Sequence, residues 1–113
     1  MSMFFIINEK DNWMTRSSMY LVIADAIKEH LDRNDPLDKE LSIMLEEASE
    51  IFILRDFTTE MFNRFCLRYR EAMEKFPDSD HGINVKKHGN MLVVMALWGE
   101  FFEELKKDPR YVE

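Results

Sequence analysis

Four glutamates, Glu46, Glu47, Glu50 and Glu60, form the densest run of potential ligands in the chain. If the stretch Glu46-Glu47-Ala48-Ser49-Glu50 is helical, Glu46 and Glu50 stand one turn apart with Glu47 beside both, so three carboxylates converge. Hard cations such as Mg²⁺ take oxygen sets of this kind. Asp78, Asp80, His81 and His88 form a second cluster, and carboxylate with imidazole suits zinc or a related ion. Their spacing matches no closed site and no cysteine joins them, so they read as a polar loop and no metal site is assigned. Cys66 lies four residues after Phe62 and three before Tyr69, on an apolar helical face. A reactive thiol needs exposure and positive neighbours, whereas Arg64, Arg68 and Arg70 point around the other side, so Cys66 reads as structural. No Gly-rich phosphate loop, G-x-S-x-G elbow or C-x-x-C is present, and nucleophilic catalysis has no support.

The elements that must carry these residues are mostly helical by period. Tyr20, Ile23, Ile27 and Leu31 recur at spacings of three and four, starting near Thr15 or Ser17, with His30 near the end where a cation suits the helix dipole. Asn34-Asp35-Pro36 closes this helix and opens the next, with Asp35 as cap and Pro36 in the first turn. The second helix aligns Leu37, Leu41, Met44, Leu45, Ala48, Ile51 and Phe52. A third begins between Asp56 and Thr59, carries Met61, Phe62, Phe65, Cys66, Tyr69, Met73 and Phe76, and ends before Pro77. Asn90 is positioned to cap a fourth that runs to about Lys107. Ile83 to Val85 and Met91 to Val94 also fit a hairpin around Lys-Lys-His-Gly-Asn, and Met3 to Ile7 fits either a short strand or an extended arm. Residues 77–90 read as one long connection, and such connections often carry function. The expected fold is therefore mainly α: a four-helix-bundle-like single domain over residues 1–113, with a short N-terminal strand or hairpin as an option.

Composition narrows the function. The 113 residues suit one domain, and the apolar share of 46% is enough to bury a core. A single cysteine excludes a disulfide framework and suits a reducing compartment. The apolar runs are too short to span a membrane, and Met1-Ser2-Met3-Phe4-Phe5 lacks a secretory pattern, so a cytoplasmic chain without a membrane partner is expected. The net charge is −7, and most of it sits in residues 35–56, where seven acids face only Lys39 and Arg55. A nucleic-acid binder needs the opposite balance. The basic flank of the third helix, Arg64, Arg68 and Lys75, is better spent on nearby acids.

Two resemblances give these features a direction. The E-E-x-x-E of Glu46, Glu47 and Glu50 followed by Glu60 resembles the all-α MazG-like nucleotide pyrophosphohydrolases. In that family such acids, with an E-x-x-D on the next helix, hold Mg²⁺ against a nucleotide triphosphate. Asn63 replaces the final aspartate here, and the gap between the motifs is short. In size and acidity the chain also resembles the bacterial immunity proteins that neutralise nuclease toxins of the colicin and contact-dependent inhibition kinds. Ile43 ringed by Glu40, Glu46, Glu47 and Glu50 suits such a role, as an apolar anchor inside a charged rim. The leading expectation is thus a non-enzymatic inhibitor, without cofactor, that blocks a basic toxin domain and is itself a monomer or weak dimer. Its contact residues are Glu40, Ile43, Glu46, Glu47 and Glu50, with Asp78 and Asp80 secondary. The alternatives are the Mg²⁺-dependent hydrolase and a helical subunit of a larger assembly.

Overall fold

The computed structural model describes residues 2–112. Ser2–Ile6 (β1) and Asn12–Arg16 (β2) form an antiparallel hairpin with Phe4 opposite Met14 and Phe5 opposite Trp13. Asn8 sets its turn, where its Oδ1 accepts from the backbone N–H groups of Lys10 and Asp11. Helix α1 (Ser17–Glu29) follows β2 directly, and α2 (Pro36–Glu47) leads to a three-residue strand, β3 (Ile51–Ile53). This strand joins β1 in parallel, with Phe5 opposite Phe52, and the sheet order is β2-β1-β3. Then come α3 (Thr59–Lys75), a 3₁₀ turn (Phe76–Asp78), α4 (Asp80–Lys87) and α5 (Met91–Lys106).

The architecture is α+β, which corrects the expected mainly helical four-helix bundle and the all-α class. Four of the five helices match the periodic segments, and of the expected caps Asp35 is present. Asp35 Oδ1 accepts from the N–H of Leu37 at 2.9 Å, and Thr58 Oγ1 accepts from the N–H of Met61 at 3.1 Å. Asn90 makes no such side-chain bond. Ile51 and Phe52 do not extend α2. Ala48 is already extended, and β-branched isoleucines flank an inward Phe52, the period-2 pattern of a strand. Met3–Ile7 falls to the strand reading, since Ser2–Ile6 is the central strand. The hairpin option at Ile83–Val94 is overturned, because both arms are helical and Gly89, at φ +72°, reverses the chain between them. No helix among the described residues is long and apolar enough to cross a membrane.

Rings fill the space between sheet and helices. Phe5 has the ring centroids of Phe101, Tyr20, Trp13 and Phe52 at 4.5, 5.4, 5.6 and 5.9 Å, and Trp13 stacks on Phe101. Helix α3 packs on α1, α2 and α5 and is the central helix. Tyr69 on α3, fully buried, donates its hydroxyl to the Trp98 carbonyl at 2.7 Å. Burial holds that phenol well above its usual pKa, so it remains a donor.

The residues read as a loop form α4 because Ser79 accepts from the N–H of Gly82 at 3.0 Å and so caps a helix start. Gly82 meets the preceding turn so closely that a Cβ there would lie 1.9 Å from the Phe76 carbonyl oxygen. Gly82→Ala is therefore expected to cost about 2 kcal/mol of unfolding free energy, despite alanine's better helix propensity, as measured by urea denaturation.

Candidate partner-binding cleft

A cleft of about 960 Å³ opens between α1, the Leu31–Arg33 connection, α2 and the start of α4. Asp25, Lys28 and Glu29 line it from α1, Lys39, Ser42, Ile43 and Glu46 from α2, and His81 from α4. Its framework is an ion-pair network around Asp38, which is 1% exposed. One carboxylate oxygen, Oδ2, accepts from the Asp32 N–H at 2.8 Å and from Arg68 at 2.9 and 3.1 Å, while Arg64 lies 3.5 Å from Oδ1. Arg64 also donates to Asp35 at 2.7 Å, and Arg68 to Glu71 at 3.1 Å. Arg64 and Arg68 of the basic flank of α3 are thus occupied with acids, as its sequence suggested, while no acid is paired with Lys75 among the described residues. Partial desolvation works against the Asp35 charge, but the bonds from Arg64 and from the Leu37 and Asp38 N–H groups outweigh it, and its pKa falls below the ordinary value.

Tyr20 fixes the other end of α2 by donating to the Leu45 carbonyl at 2.9 Å. Burial raises its pKa to about 12, so it stays protonated in that bond. Between these two anchors α2 turns an uncovered face to the cleft. Ile43 is 54% exposed there. Glu40, Glu46 and Glu47 are exposed, and none forms an ion pair or side-chain hydrogen bond with another described residue. The charged lining is mixed, with Lys28, Arg33 and Lys39 among Asp25, Glu29, Asp32 and Glu46. The last turn of α2 contains no basic residue. Its acids therefore sit where the helix dipole disfavours them.

The structure separates several residues that spacing had grouped. Glu50 lies in the bend before β3, beyond the end of α2, so the E-E-x-x-E does not share a helix with Glu46 and Glu47. Asn63 is a structural clamp: it donates to the Thr59 and Arg110 carbonyls and accepts from the Val112 N–H. Among the described residues no three His, Cys, Asp or Glu side chains are grouped to hold a metal ion. Asp78 and Asp80 are exposed and lie outside the cleft, whereas the neighbouring His81 lines it, with Nε2 3.7 Å from Asp25. His88 instead bonds the Asn84 carbonyl. Cys66 is buried, and burial together with the Asp108 charge pushes its thiol up to about 12 against the opposing effect of Arg110, so it is unreactive.

A second network escaped the sequence reading. Arg110 donates to the carbonyls of Ile7, Leu54 and Phe57 and to Asp108, with its guanidinium 4.1 Å from the Phe62 ring centre. Burial opposes the Asp108 charge, but the bonds from Arg110 and Asn8 prevail and lower its pKa. Its only sequence sign is Asp108-Pro109-Arg110, a turn pattern that names no partner.

The cleft and fold define an α+β domain with an uncovered acidic helix face. No family model, curated protein or solved structure matches the chain.

Two tests follow from these networks. Asp38→Ala leaves Arg68 and the Asp32 N–H without their acceptor, and is expected to cost about 3 kcal/mol in denaturant unfolding. The lowered pKa values of Asp35 and Asp108 fix the sign of the acid response. Their stabilisation is fully present above the ordinary aspartate pKa of about 3.9 and is lost as pH falls from there through the lower folded-state values. Urea midpoints taken between pH 7 and pH 2 should stay level above that point and fall below it, with a shallower fall in Asp108→Asn.

Proposed function

We propose that this chain is an inhibitory binding protein whose cleft receives a basic protein partner, the kind of partner that an immunity protein blocks in a nuclease toxin. The observation that carries this reading is Ile43, half exposed in the cleft wall beside Glu46, which has no ion-pair partner among the described residues. An apolar side chain that a partner can desolvate, rimmed by free charge, supplies both anchoring and steering. Glu46 and Glu47 add a second argument. Acids in the last turn of a helix cost stability, about 0.3–1 kcal/mol each where exposed, and an incoming lysine or arginine relieves that cost. The mechanism is occlusion: carboxylates occupy the basic surface a toxin would offer to phosphates. Ile43 and Glu46 line the cleft and Glu40 and Glu47 are exposed on the same helix outside its lining; these are the contact residues, with His81 joining them from α4. Glu50, Asp78 and Asp80 lie away from the cleft and are left out.

Glu46→Lys with Glu47→Lys separates function from fold. The pair should raise unfolding free energy by several tenths of a kcal/mol, since cations suit a helix C-terminus, while weakening the partner at least 30-fold. The partner is obtained by affinity capture from the native host's lysate, purified, and measured by calorimetry across salt concentrations. Affinity that falls with salt and collapses in the double variant is the expected result. Affinity unchanged by the double variant and by Ile43→Ala would overturn the reading.

A further inference from the structure

We propose that the tip of the α4–α5 hairpin docks on an anionic membrane surface, with aliphatic side chains entering the bilayer interface beside two lysines. The tip is one compact knob. The Gly89 N–H donates to the Lys86 carbonyl at 3.1 Å and the Asn90 N–H to the Val85 carbonyl at 3.2 Å, with Gly89 left-handed. These bonds set the first turn of α5 against the last turn of α4, so Lys86, Lys87, Leu92 and Val93 all lie within a turn of the reversal. Between Lys86 and Val93 only Met91 is partly covered. Leu92 is 88% exposed and Val93 63%, with Ile83, one turn back on α4, at 46%. Neighbouring chain that walled a groove here would cover Leu92, so the knob is convex.

Charge gives the sign of the occupant. The chain has 22 Asp and Glu in 113 residues, yet none lies between Asp80 and Glu100. Lys86 and Lys87 are exposed, and neither has an ion-pair partner among the described residues. The first turn of α5 carries no acid, so nothing on it repels a phosphate. Glu100 stands about 12 Å farther along α5 than Leu92, beyond the ~8 Å over which exposed charges act at physiological salt. The knob is therefore locally positive in a chain whose net charge is −7.

Composition favours a lipid surface over a protein as the source of the negative charge. Protein interfaces draw their anchors from Trp, Tyr and Arg and are depleted in Lys. The knob exposes Leu, Val and Ile with Lys, and no aromatic ring or Arg lies between Ile83 and Val93, in a chain with nine Phe, three Tyr and two Trp. A bilayer asks for no matching shape: aliphatic side chains enter the acyl boundary while lysines reach the headgroup phosphates. Such a contact needs no spanning segment. Each lysine near an anionic leaflet strengthens binding about fivefold, so the attachment is weak and reversible.

The inference is independent of the cleft reading, because none of these residues lines the cleft. The test is co-sedimentation of the full chain with phosphatidylcholine vesicles, with and without phosphatidylglycerol. Binding should appear on the vesicles that contain phosphatidylglycerol and weaken as salt is raised. Lys86→Gln with Lys87→Gln should weaken it about 25-fold. Leu92→Asp should weaken it about tenfold or more, while the melting temperature stays level or rises, because an acid suits the first turn of a helix. No preference for the anionic vesicles overturns the proposal and leaves an acidic protein as the occupant to seek. Binding that persists in both variants overturns it too, because the contact would then lie on another surface.

Discussion

Taking the Asp38 carboxylate out of water is tolerable only while Arg68 and Arg64 remain beside it, and that requirement joins three separate pieces of chain. The carboxylate belongs to the first turn of α2, the guanidinium groups to α3, and the Asp32 N–H to the connection after α1. Their geometry fixes how far α2 stands from α1 at its start, and the Tyr20 bond to the Leu45 carbonyl does the same near its end. A helix held at both ends need not bury every side of its middle. The open side of α2 at Ile43 is a consequence of that anchoring, and the cleft is the space it leaves.

Arg110 plays a comparable part in a second network, with a different chemistry. It neutralises one carboxylate and otherwise satisfies carbonyls where β1 and β3 run out, at Ile7 and Leu54. Those oxygens lie past the paired length of the sheet and have no strand partner. A planar group with five donors can serve three carbonyls and a carboxylate together, more than the three donors of an ammonium could. The segment after α5 is thereby bound to strands far away in sequence, and Asn63 adds a further tie from α3.

Much of the helical layout was legible in the sequence because each helix buries one stripe, and stripes at a period of 3.6 leave a trace. The stripe of α3 is of that kind, and the Asp35 cap was marked by the Asn-Asp-Pro punctuation beside it. Of the sheet, only the option of a strand at residues 3–7 was legible. Ile51-Phe52-Ile53 continues the apolar series of α2 by spacing, and only the break at Ala48 and the demand of β1 for a partner turn it into a strand. Trp13 alone marks the inward face of β2, too little signal for a pattern. Of the residues that line the cleft, Ile43 and Glu46 were singled out in the sequence because an apolar residue among acids stands out locally. The roles of Asp38 and His81 depend on arginines and aspartates distant in sequence, and no local pattern reports those.

The parallel pairing of β1 with β3 also bears on the order in which the molecule can assemble. The β1–β2 hairpin closes over a short turn, but β3 reaches β1 only after α1 and α2 have been laid between them. Contacts that close long loops are entropically expensive and form late. A three-residue strand bonded along one edge has little to hold it there, so it should also be among the first elements to open and exchange its amide hydrogens. Because β3 follows α2 after a three-residue link, each such opening frees the C-terminal end of the helix that walls the cleft, so an event in the sheet bears on the shape of a site outside it.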